Sequence, residues 1–305
     1  MDVVGVGALN LDRLYLVERI ASAGDEVPVI SSKEAPGGSA ANTIVGLARL
    51  VAATGFIGRV GDDREGEFLL EAMEREGVDR GEIKVCEGDS GLVLAFVDRR
   101  GERAMYAYPG VNDALAMDES ALEYARKARI VHMSSFVGDR SYEAQRRLAS
   151  ELGGVKISLA PGTLYARRGL EEMEAILKKC EVLFLNREEI GLLTGKGYEE
   201  GAALLRAKGV RNVAVTLGPE GCYVLGDEGL HLPAYRTEVV DTTGAGDAFA
   251  AGFLFGLLHG QGAEACGRLG NRCASLCVSK VGARDGLPHR RELEGFLREI
   301  GWNQG

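Results

Sequence analysis

Short, continuous apolar runs alternate with amphipathic segments along most of the chain, and this alternation restricts the fold more than any other property of the sequence. Strands are expected at residues 3–8, 51–57, 130–133, 155–159, 182–185 and 213–217. Helices are expected at residues 40–50, 65–76, 119–127, 142–151, 170–179, 198–208, 245–258, 263–279 and 291–300. A strand that is apolar at every position must be covered on both faces, which is the condition of a parallel sheet. The intervening helices then act as right-handed crossovers. The expected fold is α/β, a doubly wound and mainly parallel sheet flanked by helices.

Two segments, 11–32 and 91–109, break the rhythm with polar/apolar alternation and no helix directly after them. Leu92, Leu94 and Phe96 precede a turn at 98–102, and Met105, Tyr106 and Tyr108 follow it, which is a hairpin signal. These segments are expected to form a small β lid, with residues 1–10, 33–90 and 110–305 making the main α/β domain.

Composition narrows the partners. The 305 residues carry 45 acidic and 36 basic side chains, a net charge of −9. That balance disfavours nucleic acid or an anionic membrane surface as the main partner. It leaves room for a small anionic ligand, because converging backbone N–H groups can bind phosphate inside an acidic protein. The six cysteines are scattered without C-x-x-C pairs, and no apolar run approaches a membrane span, so a cytoplasmic location is expected. The 43 glycines follow no G-X-Y period, so their abundance calls for close backbone approaches rather than a fibrous repeat.

Several motifs are decoys. Gly5-Val-Gly7-Ala-Leu-Asn10 lacks the third glycine and the helix of a dinucleotide fingerprint. Gly191-Leu-Leu-Thr-Gly195-Lys196-Gly197 is one residue short of a P-loop and reads as a helix C-cap. Cys273 and Cys277 read as buried packing, and none of the four histidines sits in a catalytic setting.

The informative stretch is Val239-Val-Asp241-Thr-Thr243-Gly244-Ala-Gly246-Asp247, followed at once by an apolar helix. Small residues let successive N–H groups converge at a helix N-terminus, where unpaired donors and the helix dipole favour an anion. Asp247 lies in the first turn beside that nest. A carboxylate at such a position is expected to have a depressed pKa.

This stretch resembles the C-terminal signature of the ribokinase-like, or PfkB, carbohydrate kinases. Pro36-Gly37-Gly38-Ser39-Ala-Ala-Asn42, the segment from Phe56 to Gly66, and Asn186-Arg-Glu-Glu189 resemble the family's other motifs, in family order. The resemblance implies an ATP-dependent sugar kinase with Asp247 as general base and Gly244, Ala245 and Gly246 as anion hole. It implies substrate contacts at Asn10, Asp12, Gly37, Gly38 and Asn42. Nucleotide contacts are implied at Asn186, Glu189, Thr216, Gly218 and Asn271, with Asn186 and Glu189 organising Mg²⁺ through water. Asp241, Thr243, Cys277, Lys280, Gly282 and Gly286 match a loop pair that binds a monovalent cation, K⁺, in several members. The lid is implied to cover the substrate and often to form a homodimer interface.

Ser39 replaces a lysine that many ribokinases carry, and Ser134 and Ser135 lie where they often place a sugar-contacting acid. Pro109-Gly110-Val-Asn112 resembles a ribokinase loop. A neutral sugar such as ribose or fructose is the expected substrate. A nucleoside is the alternative, and a non-catalytic sugar- or nucleotide-binding regulator is a second one.

Overall fold

The computed structural model describes residues 1–100 and 102–302. Its strands, in chain order, are β1 (Val3–Val6), β2 (Asn10–Val17), β3 (Val29–Gly37), β4 (Thr54–Gly61), β5 (Asp79–Cys86), β6 (Gly91–Val97), β7 (Arg103–Tyr108), β8 (Ile130–Ser134), β9 (Lys156–Ala160), β10 (Cys180–Asn186), β11 (Asn212–Thr216), β12 (Cys222–Leu225) and β13 (Gly229–Leu232). Nine of them form one sheet in the order β13-β12-β11-β10-β9-β8-β1-β4-β5. Pairing is parallel from β11 through to β5, and β12 and β13 add antiparallel at one edge.

Burial explains which strands were readable. Central β1 and β4 are buried at every position, because helices cover both faces of the sheet. Edge strand β5 carries only Ile83 and Val85 as large apolar residues, and β12 and β13 are four residues each, so none of the three stood out in the sequence. Strand β4 begins at Thr54, three residues later than expected. Val51 is the reason: it has a left-handed φ of 71° and ends the Ser39–Arg49 helix, with its N–H donating to Ala48 O.

Two apolar layers sandwich the sheet. One gathers the helices Ser39–Arg49, Ala245–Leu258 and Ala263–Cys277, and the other the helices Glu119–Arg126, Asp139–Glu151, Gly169–Leu177 and Tyr198–Ala207. The helix Ala245–Leu258 is apolar all round because it is buried in the first layer. It lies so close to its neighbour that a Cβ on Gly252 would stand 2.6 Å from Leu269 O. No described helix is long and apolar enough to cross a membrane.

The lid is a four-stranded sheet in the order β3-β2-β6-β7. Strand β3 continues to Gly37 in register with β2, so the strand pairing of the lid sheet runs five residues beyond the end expected at 32. In the expected hairpin turn at 98–102, Asp98 Oδ1 accepts the amides of Arg100 and Glu102, while Gly101 lies outside the described residues. Ion pairs tie the lid down: Arg13 to Glu65 at 2.8 Å and Lys33 to Asp285 at 3.0 Å.

Candidate active site

The site lies where the lid strands meet the N-termini of two helices, Ser39–Arg49 and Ala245–Leu258. Asn10 and Asp12 lie on the same face of β2, beside Gly37 and Ala35 of β3. Asn112 holds this strand: its Oδ1 accepts from Leu9 N, and its Nδ2 donates to Leu9 O and to Asn10 Oδ1, each at 3.0 Å. Gly37 makes room for Asp12, since a Cβ there would stand 2.2 Å from the Asp12 carboxylate. Gly38 has φ 106°, and any Cβ would strike Ala8 O at 2.1 Å, so only glycine turns the chain from β3 into the helix. Ser134, at the end of β8, caps that helix by accepting Ala40 N at 3.1 Å.

Asp247 faces these residues from the start of the helix Ala245–Leu258. Ser39 Oγ donates to Asp247 Oδ1 at 2.7 Å, and Asn42 Nδ2 donates to Oδ2 at 2.9 Å. Burial pushes the Asp247 pKa up from 3.8 to about 6, against the hydrogen bonds from Asn42 and Ser39 and the charge of Arg284. Burial, the largest cause, thus moves Asp247 in the direction opposite to the depression expected at a helix N-terminus. Burial likewise raises Asp12 to about 7, with Arg284 opposing and the Asp247 charge adding to the rise.

On the other side of Asp247 the helix N-terminus opens into a cavity of about 560 Å³. Ala245 and Gly246 of the nest line it, together with Thr216, Gly218 and Asn271. Gly244 caps the helix with φ 79°, its Cα packed against the backbone of Ala283. Asn271 spends both amide hydrogens on Leu232 O and Pro233 O, so it shapes the cavity wall while holding the loop after β13.

Two further groups of residues adjoin the nest. Asn186 and Glu189 form a reciprocal capping box at the start of the helix Arg187–Thr194, leaving Glu189 Oε1 outside it. The loops around 241 and 282 are laced together: Asp241 Oδ1 accepts the N–H and hydroxyl of Thr243, and Oδ2 accepts Gly282 N at 2.8 Å. Gly286 lies against Cys277 O, where a Cβ would stand at 2.1 Å, and the exposed Lys280 joins the loop by donating its N–H to the same carbonyl.

The profile of the pfkB family carbohydrate kinases matches residues 1–290. The chain belongs to the PfkB family of carbohydrate kinases. An uncharacterized sugar kinase of Archaeoglobus fulgidus is 46% identical over 248 residues, covering 80% of this kinase and 98% of the relative. An ATP-dependent ribose-1-phosphate kinase of Halopiger xanaduensis is 34% identical, covering 97% and 98% of the two chains. The structure of Arabidopsis thaliana ribokinase complexed with ribose and ATP superposes with a TM-score of 0.85 at 27% identity, over 97% of this kinase and 98% of that chain. The ribokinase fold and the alcohol-group phosphotransferase class of this kinase agree with the expectations drawn from its motifs.

Three residues of the site went unrecognised as part of it. Ser39 stood out only as a departure from lysine, yet it is a direct partner of Asp247. Asn112 was visible only as part of a loop resemblance. Arg284 gave no signal at all, because its partners, Asn42 and the Gly37 carbonyl, are 242 and 247 residues away.

Among the described residues no three His, Cys, Asp or Glu side chains gather into a metal site, so Asn186 and Glu189, whose pKa burial raises, offer the implied Mg²⁺ oxygen donors without enclosing it.

Proposed function

We propose that this kinase transfers the γ-phosphoryl group of ATP to a hydroxyl of a neutral sugar such as ribose or fructose, with Asp247 as general base. The observation that carries the reading is the position of Asp247, bonded to Ser39 and Asn42 and directly after Gly246, which lines the cavity at the helix N-terminus.

Asn10, Asp12, Asn42 and the Gly37-Gly38 turn hold the sugar, and the lid excludes water. Thr216, Gly218 and Asn271 border the nucleotide, and the Gly244-Ala245-Gly246 turn serves as anion hole for the charge that develops on the transferred group, although within the turn Ala245 N–H donates to Thr242 O at 3.3 Å. One such donor typically contributes about 2.7–4 kcal/mol in an oxyanion hole. With a pKa of about 6, Asp247 is ionised at neutral pH and still basic enough to take a proton late in a loose transition state. Mg²⁺, held through water by Asn186 and Glu189, would neutralise phosphate charge. K⁺ between the 241 and 282 loops would stiffen the nest from behind.

A neutral substrate suits the cations around the site. Arg13 and Lys33 of the lid are paired with carboxylates, and Arg284 is closed off from solvent. A nucleoside is the second reading, favoured by the Gly37–Asn42 segment, which resembles nucleoside kinases. Leu16, Val29, Ile30, Met105 and Tyr106 leave the lid's apolar side chains exposed, which supports a homodimer through it. Six free thiols, five of them buried, suit the cytoplasm.

A coupled assay tests the reading: ATP and Mg²⁺ with ribose, fructose, ribose 1-phosphate and nucleosides, with and without K⁺. Saturable turnover on a neutral sugar is expected. Turnover on nucleosides alone would overturn the sugar choice.

A further inference from the structure

We infer that Arg284 is a positioning residue for phosphoryl transfer: it fixes the orientation of the Asn42 amide and thereby the hydrogen bond that holds the general base. The inference rests on Asp247 being that base.

Arg284 sits in the loop after the helix Ala263–Cys277 and is 7% exposed. Its Nε donates to Asn42 Oδ1 at 2.8 Å, and its Nη2 faces Gly37 O at 3.5 Å. A guanidinium has donors only, so Asn42 must turn its oxygen towards Arg284. The Asn42 NH₂ group is then forced towards Asp247, where Nδ2 reaches Oδ2 at 2.9 Å. Without Arg284 the oxygen end of the amide loses its anchor, and Asn42 is left to the Asp247 bond alone, free to tilt away from the geometry in which Nδ2 meets Oδ2.

The carbonyl contact also steadies Gly37, whose Cα packs on the Asp12 carboxylate. Arg284 is in turn held from behind: Arg49 Nη1 donates to Arg284 O at 2.6 Å and to Leu287 O at 3.0 Å, and Arg49 is paired with Glu76.

A buried cation needs a reason, because burial without full pairing is costly. Arg284 Nη1 has no hydrogen-bond partner among the described residues, and no carboxylate forms an ion pair with Arg284 among them. Its charge faces Asp12 of β2 and Asp247 of the helix Ala245–Leu258, with Glu76 and Arg49 on the far side. Asp247 itself is faced by Asp12, Arg284 and Glu189, and by the neutral Ser39 and Asn42. Arg284 is thus the cation set against the Asp12 and Asp247 carboxylates.

The test compares wild type, Arg284→Met, Arg284→Lys, Asn42→Ala and the Arg284→Met/Asn42→Ala double variant. It measures kcat, both KM values, the pH dependence of kcat/KM and thermal stability. Arg284→Met is expected to lower kcat by about 10- to 100-fold, a part of the general-base contribution. The KM for ATP should stay within about twofold, and the acid limb should move to higher pH; Arg284→Lys should restore part of that shift. Removing Arg284 from the Asn42→Ala background should then change kcat little, because the two act in series. Additive effects on kcat, or a loss of thermal stability with an unmoved acid limb, would overturn the inference. If Arg284→Met does not fold, Arg284→Lys and its double variant with Asn42→Ala decide by the same non-additivity. Asp247→Asn in the same assay separates the two claims: undiminished turnover there refutes the base itself, whatever Arg284 does.

Discussion

Replacing Asp247 by asparagine should damage catalysis and strengthen the fold at once. Asparagine keeps the shape of the side chain. Its oxygen can accept from Asn42 Nδ2, and its amide can donate to Ser39 Oγ, the two partners now at 2.9 Å and 2.7 Å. The protein should therefore fold and bind both substrates, while turnover falls by about 100-fold or more for want of a base. The stability effect follows from the raised pKa. Asp247 titrates near 3.8 in the unfolded chain and near 6 in the native one. Two units at about 1.4 kcal/mol each give an upper bound of about 3 kcal/mol. By its surface exposure Asp247 is only partly buried, and the water that reaches it screens the charge and brings the expected gain to about 1–2 kcal/mol. The sign is fixed by linkage: the native state holds the proton more tightly, so the ionised carboxylate opposes folding above pH 6 and ceases to do so below about pH 4. Asp247→Asn should therefore be the more stable protein at about pH 7.5 and lose that advantage at about pH 4. Denaturant titrations at both pH values, with kcat, make the test. An equally active variant, or one less stable at about pH 7.5, would refute the reasoning.

Four other outcomes follow. The wild-type kcat/KM should rise with pH through the region of about 6–7, where Asp247 and Asp12 titrate as neighbours, and a profile flat down to about pH 4.5 would contradict that. Gly244→Ala should cost at least about 1–3 kcal/mol and most of the turnover, because φ is 79° and the new Cβ would meet Ala283 Cα at 2.7 Å; denaturant titration and kcat report both. Asn112→Ala should strand Leu9 N and Leu9 O, lowering stability by about 1–3 kcal/mol and raising the sugar KM as Asn10 loses its anchor. K⁺ should activate more than Na⁺, and Asp241→Ala should abolish the difference by unlacing Thr243 and Gly282, as initial rates in the two salts would show.

The parts of the molecule legible in the sequence are those decided by local patterns. The helix Ala245–Leu258 was delimited correctly because a glycine turn precedes an unbroken apolar run. The Asn186–Glu189 box is a four-residue signal and forms as read. Edge strand β5 was not legible, since its apolar positions are few, and β3 was cut short because Lys33-Glu-Ala-Pro36 reads as loop until β2 pairs with it. The site divided in the same way. Residues with motif neighbours, such as Gly37, Asn42 and Asp247, could be named in advance. Arg284 and Asn112 could not, because their roles exist only once chain segments more than 100 residues apart are brought together. The Asp247 pKa was misjudged for a related reason: the helix terminus is visible in the sequence, but the burial that moves the pKa the other way comes from the surrounding tertiary structure.

The central claim is that the γ-phosphoryl group of ATP passes to a substrate hydroxyl beside Asp247. Phosphorus-31 NMR of a reaction with Mg-ATP and the best substrate of the assay panel tests it directly. The account predicts ADP and a sugar phosphate monoester in equal amounts, with neither formed by Asp247→Asn on the same timescale. ADP with free inorganic phosphate, or the same ester formed at an undiminished rate by Asp247→Asn, would contradict it.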